Sequence, residues 1–260
     1  MLFKILAFIL THLPSFLERV VFELFYPIYL IEFRKEKKYV AERLKSANLQ
    51  IKPKAVYKNL FLNGVDSLRF LQNREIPLKF ENSYLVKDEI GKNPIVFMSI
   101  HLGAFEMLHR SLEHLTTCTV NLVVSEFRNA KLDEFLTSLR ATQKIRIAKD
   151  YDVPKILKNA IRNKEILAVM ADQSKGKAEN FKILGDDVPL FLDLPFTANK
   201  LGASIVLFIT FRKNNEHIIR FERVYAPKSE IDKNEISKIL ENWILKYPEQ
   251  WAWNYGFIKR

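Results

Sequence analysis

The sequence predicts an α/β fold: a mainly parallel or mixed central sheet flanked by helices, with an N-terminal amphipathic helical membrane anchor. Three observations predict it. From Leu78 onward, short apolar runs alternate with stretches of helical spacing, the βαβα order that builds such sheets. Residues 1–31 are the most apolar part of the chain, yet their first apolar run, Leu2 to Leu10, is too short to span a bilayer. The 48% hydrophobic content, with 20 Phe in 260 residues, suits one domain with a substantial core. The expected division is an N-terminal helical membrane-anchoring region over 1–75 and an α/β domain over 76–260, joined as one continuous structural unit.

Pro14 interrupts the first apolar run, and Ser15 is placed to cap a second helix. On that helix Glu18, Arg19 and Glu23 gather on one side. Leu17, Val20, Val21, Leu24, Phe25 and Ile28 gather on the other, with Phe22 out of phase. The pattern fits an amphipathic helix at a membrane surface; a pair of core helices in a soluble protein accounts for it as well. A signal peptide is the lesser reading of the same stretch, since no small-x-small cleavage site follows. Arg34-Lys-Glu-Lys-Lys38, continuing to Arg43 and Lys45, places basic residues beside the apolar segment. Such a flank favours an anionic cytoplasmic leaflet, and a solvated helix face fits the same residues. Pro53 opens a helix over about 53–73, in which Val56, Leu60, Val65, Leu68 and Leu71 recur at helical spacing. Strands are expected near 84–86, 95–100, 119–124, 144–147, 166–171, 205–211 and 218–224. Helices are expected near 104–115, 130–141, 153–163, 194–202 and 232–246.

Composition narrows the function classes. Only 7 glycines are present, and neither GxGxxG nor GxxxxGK[ST] occurs, which leaves out Gly-rich phosphate loops. The single cysteine, Cys118, excludes an intrachain disulfide, and no Cys/His metal spacing is seen. The net charge of +11 points to an anionic partner. Nucleic acid is not expected, because the aromatic residues lie in apolar runs rather than interleaved with Arg and Lys.

The stretch Pro94-Ile-Val-Phe-Met-Ser-Ile-His-Leu-Gly-Ala-Phe-Glu106 concentrates the chemistry. Ile95 to Ile100 forms a buried-strand run, and His101 stands where that strand ends, where open α/β sheets tend to place their sites. Gly103 permits a sharp turn, and Glu106 follows in the first turn of the next helix. A carboxylate on one ring nitrogen fixes the tautomer and leaves the other nitrogen to take a proton from an attacking hydroxyl. On spacing alone, a structural histidine with a dipole-favoured glutamate is an equal reading. His109 and His114, on or beside the same helix, read as ordinary surface or boundary residues.

His-x4-Glu directly after an apolar strand resembles the His-x4-Asp/Glu signature of glycerolipid-type acyltransferases. The form His101-Leu-Gly-Ala-Phe-Glu106 most resembles the His-x-Gly-Asn-Trp-Glu variant of the lipid A biosynthesis late acyltransferases, the lauroyl/myristoyl transferases of lipopolysaccharide assembly. Other segments follow in the family's order. Arg128 stands where the family has Tyr-Arg-Pro, with Phe127 and Asn129 in place of Tyr and Pro. Val169-Met-Ala-Asp-Gln173 matches the family's Leu-x-Ala-Asp-Gln/His. Asp187-Val-Pro-Leu-Phe191 resembles its Val-Pro-Phe-Phe-Gly, without the glycine, and Thr197 its following Thr. Tyr247-Pro-Glu-Gln-Trp-Ala-Trp253 resembles its Pro-Glu-Gln-Tyr-x-Trp ending, with Asn254-Tyr255-Gly256 in place of His-Arg-Arg.

The resemblance implies an O-acyltransferase that moves a fatty acyl chain from acyl carrier protein to a hydroxyl of a lipid A precursor, a phosphorylated glycolipid. It implies His101 as general base with Glu106 orienting it, and Arg128, Asp172, Gln173 and Thr197 as substrate-binding residues. It implies no metal or organic cofactor, and a peripheral or monotopic place on the cytoplasmic face of the cell inner membrane. Leu190, Phe191, Leu192, Leu194 and Phe196 suit either an acyl-chain wall or plain core. Trp251 and Trp253 suit either a lipid interface or packing under the site. Two rival readings remain at this point: the same chemistry on a lysophospholipid, aminolipid or other glycolipid, and a non-catalytic basic membrane-binding protein.

Overall fold

The computed structural model describes residues 2–127, 129–173 and 177–254. Helices α1 (Leu2–His12), α2 (Ser15–Glu32), α3 (Arg34–Ser46) and α4 (Pro53–Leu71) precede the sheet. Pro14 separates α1 from α2, and Pro53 opens α4, where its missing N–H has no intrahelical partner to lose. Asn48 and Asn73, just beyond the ends of α3 and α4, take left-handed backbone, which Asn tolerates better than most residues.

The orientation of α2 follows from its out-of-phase residue. Glu18, Phe22 and Tyr26, spaced i, i+4, i+8, face inward, while Phe16, Val20, Leu24, Phe25, Ile28 and Ile31 are exposed. Buried Glu18 is matched by Arg69 of α4, which also donates to Asp66 Oδ1 (3.2 Å) and to the Thr11 carbonyl (3.2 Å). Buried Glu36 of α3 accepts from the phenols of Tyr29 (2.6 Å) and Tyr57 (3.2 Å), which ties α2, α3 and α4 together. Among the described residues, no helix is long and apolar enough to cross a membrane.

Seven strands then form one mixed sheet: β1 (Leu78–Glu81), β2 (Ile95–Ser99), β3 (Val120–Val124), β4 (Ile145–Lys149), β5 (Ile166–Met170), β8 (Ser204–Lys213) and β9 (Glu216–Tyr225). Their order is β1-β9-β8-β2-β5-β3-β4, and only the β8–β9 pair is antiparallel. The period of two shows directly in the core. Val96, Met98 and Ile100 face one layer, which also holds Phe22, Tyr26, Val40, Leu44 and Val56 of the N-terminal helices. Ile95 and Phe97 face the other layer, with Val86 of α5 (Tyr84–Lys87) and Leu108 of α6 (Glu106–Ser111). The remaining helices are α7 (Ala130–Arg140), α8 (Val153–Asn163), α9 (Asp193–Lys200) and α10 (Lys233–Lys246).

Two expectations differ from what is observed. Residues 84–87 form one helical turn, not a strand. The edge strand is β1, whose Leu78 and Phe80 give only two apolar beats before Asn82 turns the chain with positive φ. The sequence reading also lacks the hairpin β6 (Glu179–Ile183) with β7 (Asp186–Leu190), a ribbon separate from the main sheet. Each strand has only two alternating apolar residues, Phe181 and Ile183 in one and Val188 and Leu190 in the other, and Pro189 interrupts the second, so the signal is too short to mark them. Its two-residue turn sets Leu184 and Gly185 at positive φ, and the Leu184 N–H donates to Glu241 Oε1 (2.7 Å).

Candidate active site

β2 and β5 are adjacent, parallel and in register, with Ser99 opposite Met170. Equal steps of two residues beyond that pair bring His101 and Asp172 side by side at the carboxyl edge of the sheet. Asp172 Oδ1 lies 2.7 Å from His101 Nδ1, and the His101 backbone N–H points at both oxygens (3.1 and 3.0 Å). The Trp251 indole N–H donates to Oδ2 at 3.1 Å. Burial by itself pushes the Asp172 carboxyl up, but the His101 charge and these hydrogen bonds outweigh it, so its pKa is lowered. An ionised Asp172 only accepts, so Nδ1 carries a proton and the neutral ring presents its lone pair at Nε2. The Phe105 ring stands edge-on to the imidazole, 4.6 Å between centroids.

The carboxylate at Nδ1 is therefore that of Asp172, where the spacing pointed to Glu106. Glu106 opens α6 and meets the last residue of α7: Arg140 Nε donates to Oε2 at 2.8 Å, and Nη2 donates to Oε1. Burial pushes the Glu106 carboxyl up and the Arg140 guanidinium more than offsets this, with smaller contributions from His109 and His101; the result is a lowered pKa. Glu106 thus stays ionised within electrostatic reach of His101. Arg140 escaped the sequence reading because a basic residue in a last helical turn is what the helix dipole favours anyway.

Gly103 shapes the loop between His101 and Glu106. Its φ is +63°, and a Cβ there would lie 2.4 Å from the Thr210 carbonyl oxygen of β8. The C-terminal segment closes over the same loop. Gly103 N–H donates to the Gln250 carbonyl (2.9 Å), Ala252 N–H to the His101 carbonyl (3.0 Å), and Leu102 pairs with Trp251 in a β-bridge. The Gln250 side chain clamps the Arg212 backbone in both directions, at 2.8 and 2.9 Å. Trp251 and Trp253 are buried, so they pack under the site.

The other expected residues fall as follows. Gln173 is half-buried next to Asp172, and Thr197 is exposed in α9, without a side-chain hydrogen bond to His101 or Asp172. Arg128 lies outside the described residues. Leu190 and Leu192 are core, with Leu194 and Phe196 packed partly against it.

His109 departs from its reading as a surface or boundary residue: it is 2% exposed, on the inner side of α6. Burial is the main cause that lowers its pKa from 6.5 to about 4; Glu106 opposes the shift, and Arg140 and Arg110 reinforce it. An unfolded chain takes up this proton first. Stability contributed by neutral His109 is therefore complete above pH 6.5 and lost on descent to about 4. The expected loss is about 3 kcal/mol. Asp172, Glu106 and Asp66, all lowered, add to it at more acidic pH. Urea midpoints measured across this range check the sign, and His109→Gln is expected to flatten the upper part of the curve.

The structure is similar to the crystal structure of the 1-acyl-sn-glycerophosphate (LPA) acyltransferase PlsC from Thermotoga maritima. The TM-score is 0.44 at 13% identity, over 96% of this chain and 99% of that one. No curated protein matches the sequence. The family model of the bacterial lipid A biosynthesis acyltransferases matches residues 68–256, well over half of the 260-residue chain. That span takes in His101, Glu106, Asp172 and the closing Trp251 segment, and this chain belongs to the bacterial lipid A biosynthesis acyltransferase family.

Proposed function

We propose that this acyltransferase moves a fatty acyl group from an acyl carrier protein thioester to a hydroxyl of a phosphorylated lipid A precursor, at the cytoplasmic surface of the inner membrane. The observation that carries the reading is the His101–Asp172 pair at the sheet edge in a member of this family. His101 Nε2 takes the hydroxyl proton as the acceptor oxygen attacks the thioester carbonyl carbon. The tetrahedral oxyanion collapses, the C–S bond breaks, and the proton passes from His101 to the departing thiolate. Asp172 holds the ring tautomer. Glu106, kept ionised by Arg140, adds negative charge near the imidazolium. Arg128, Gln173 and Thr197 are assigned to the acceptor by resemblance, Arg128 to its phosphate.

The N-terminal helices supply the membrane contact. Phe8, Ile9, Phe16, Leu24, Phe25, Ile28 and Ile31 are all more than half exposed on α1 and α2. Arg34, Lys37 and Lys38 follow directly, lining a groove with Leu30 and Ile31. Apolar side chains next to cations are what an anionic lipid surface receives. A Phe16→Glu, Leu24→Glu, Ile28→Glu variant is expected to lose sedimentation with phosphatidylglycerol vesicles by more than about tenfold. Undiminished binding would overturn this assignment.

The test of the reaction is incubation of the purified protein with acyl carrier protein thioester and an under-acylated, phosphorylated lipid A precursor. The expected product is heavier by one acyl chain, with free carrier thiol released in equal amount. Transfer only to a lysophospholipid would overturn the acceptor, and no transfer to any lipid would overturn the reading itself.

A further inference from the structure

Arg43 lies on α3, far in sequence from every residue of the site, and its side chain is 11% exposed. Its guanidinium carbon stands 4.9 Å from the Trp251 ring centroid and 5.5 Å from that of Trp253. Nη1 donates to the Trp253 carbonyl (2.9 Å), and Nε faces Asp186 Oδ2 (3.4 Å). The two indoles meet edge to face, with centroids 4.7 Å apart. A cation stacked on an indole and hydrogen-bonded to the neighbouring backbone fixes the plane of that ring.

The plane matters because of what the ring edge does. Trp251 Nε1 donates to Oδ2 of Asp172, and the other carboxylate oxygen faces His101 Nδ1. A carboxylate rotates about one bond, so a donor held on Oδ2 sets the direction in which Oδ1 presents itself to the imidazole. We propose that Arg43 is a positioning residue for His101, acting through the Trp251 indole and the Asp172 carboxylate. The proposal rests on the reading of His101 as the general base. It gives α3 a part in the chemistry besides its part in packing. It also predicts a direction: without the indole N–H, or without the cation behind it, the Asp172 charge is less neutralised. The carboxylate then holds a proton on the imidazole more firmly, and the acidic limb of the rate profile moves to higher pH.

The experiment measures kcat, KM and the pH profile of kcat/KM for the full chain and for Arg43→Gln, Trp251→Phe and their double variant. Arg43→Lys and His101→Ala run in the same assay, with thermal unfolding recorded for each. Arg43→Gln and Trp251→Phe are each expected to lower kcat about tenfold, the equivalent of one charge-assisted hydrogen bond, and to leave KM within about twofold. Both are expected to move the acidic limb upward. The double variant is expected to be no slower than the worse single one, because both act on one carboxylate. Arg43→Lys keeps the charge without the planar stack, so it recovers the limb more than the rate; it is read in place of Arg43→Gln if that variant fails to fold. Multiplicative losses, or a lowered unfolding temperature with kcat and limb unmoved, would overturn the route through Trp251. Full activity in His101→Ala would instead remove the general-base reading, and the positioning role with it.

Discussion

A His101→Ala variant is expected to lose at least about three orders of magnitude in turnover, and Asp172→Asn to come within about tenfold of it. The second half is the more informative. Asp172 accepts from the His101 backbone, from His101 Nδ1 and from Trp251 Nε1. A carboxamide has one acceptor oxygen and one NH2 group, so it cannot serve both the ring and the indole. If its NH2 turns to the imidazole, Nδ1 becomes the acceptor and the proton moves to Nε2, where it blocks the base. If its NH2 turns to Trp251, two donors face each other in a buried site. Either arrangement spares the bulk of the fold. Single-turnover acyl transfer by Asp172→Asn, set against its unfolding temperature, separates a lost tautomer from a lost structure. Wild-type turnover in that variant would show that the orienting carboxylate lies elsewhere.

Gly103→Ala is expected to destabilise the protein by at least about 3 kcal/mol, with loss of activity at temperatures where the wild type works. The residue sits at φ +63°, and the added Cβ would overlap the backbone carbonyl of Thr210. Neither β8 nor the loop can yield cheaply. β8 lies between β2 and β9, and the Gly103 N–H is itself bonded to Gln250. Gly64→Ala is the matched control. Gly64 is exposed within α4 with open space around its Cβ direction, so alanine there is expected to be neutral or to stabilise by up to about 1 kcal/mol. Urea unfolding of the two variants makes the comparison, and equal midpoints would contradict it.

The sequence made the strands of the sheet interior legible, because β2, β5 and β8 are continuous apolar runs whose residues fill both faces. It did not make β1 or the β6–β7 hairpin legible, since each of these strands has only two apolar residues in alternation, too few to set a period. At the site, His101 and Asp172 were each visible as a polar residue ending a buried strand. Their pairing was not, because it depends on β5 returning beside β2 after β3 and β4 have been laid down. Glu106 is nearer in sequence, so spacing alone favours it. Helix α2 shows the same limit: helical phase separated its faces, but Phe22, the residue out of phase, marks the buried one.

The closure of the His101 loop by the Leu102–Trp251 bridge has a consequence for synthesis. A nascent chain that has made β2 and the Gly103 turn still lacks Gln250, Trp251 and Ala252, which hold that turn and the Asp172 carboxylate. The His101–Asp172 edge is therefore completed through contacts of long sequence separation, which form slowly. A chain cut short before Trp251 carries His101 without the indole donor on Asp172 and without the hydrogen bonds that hold its loop.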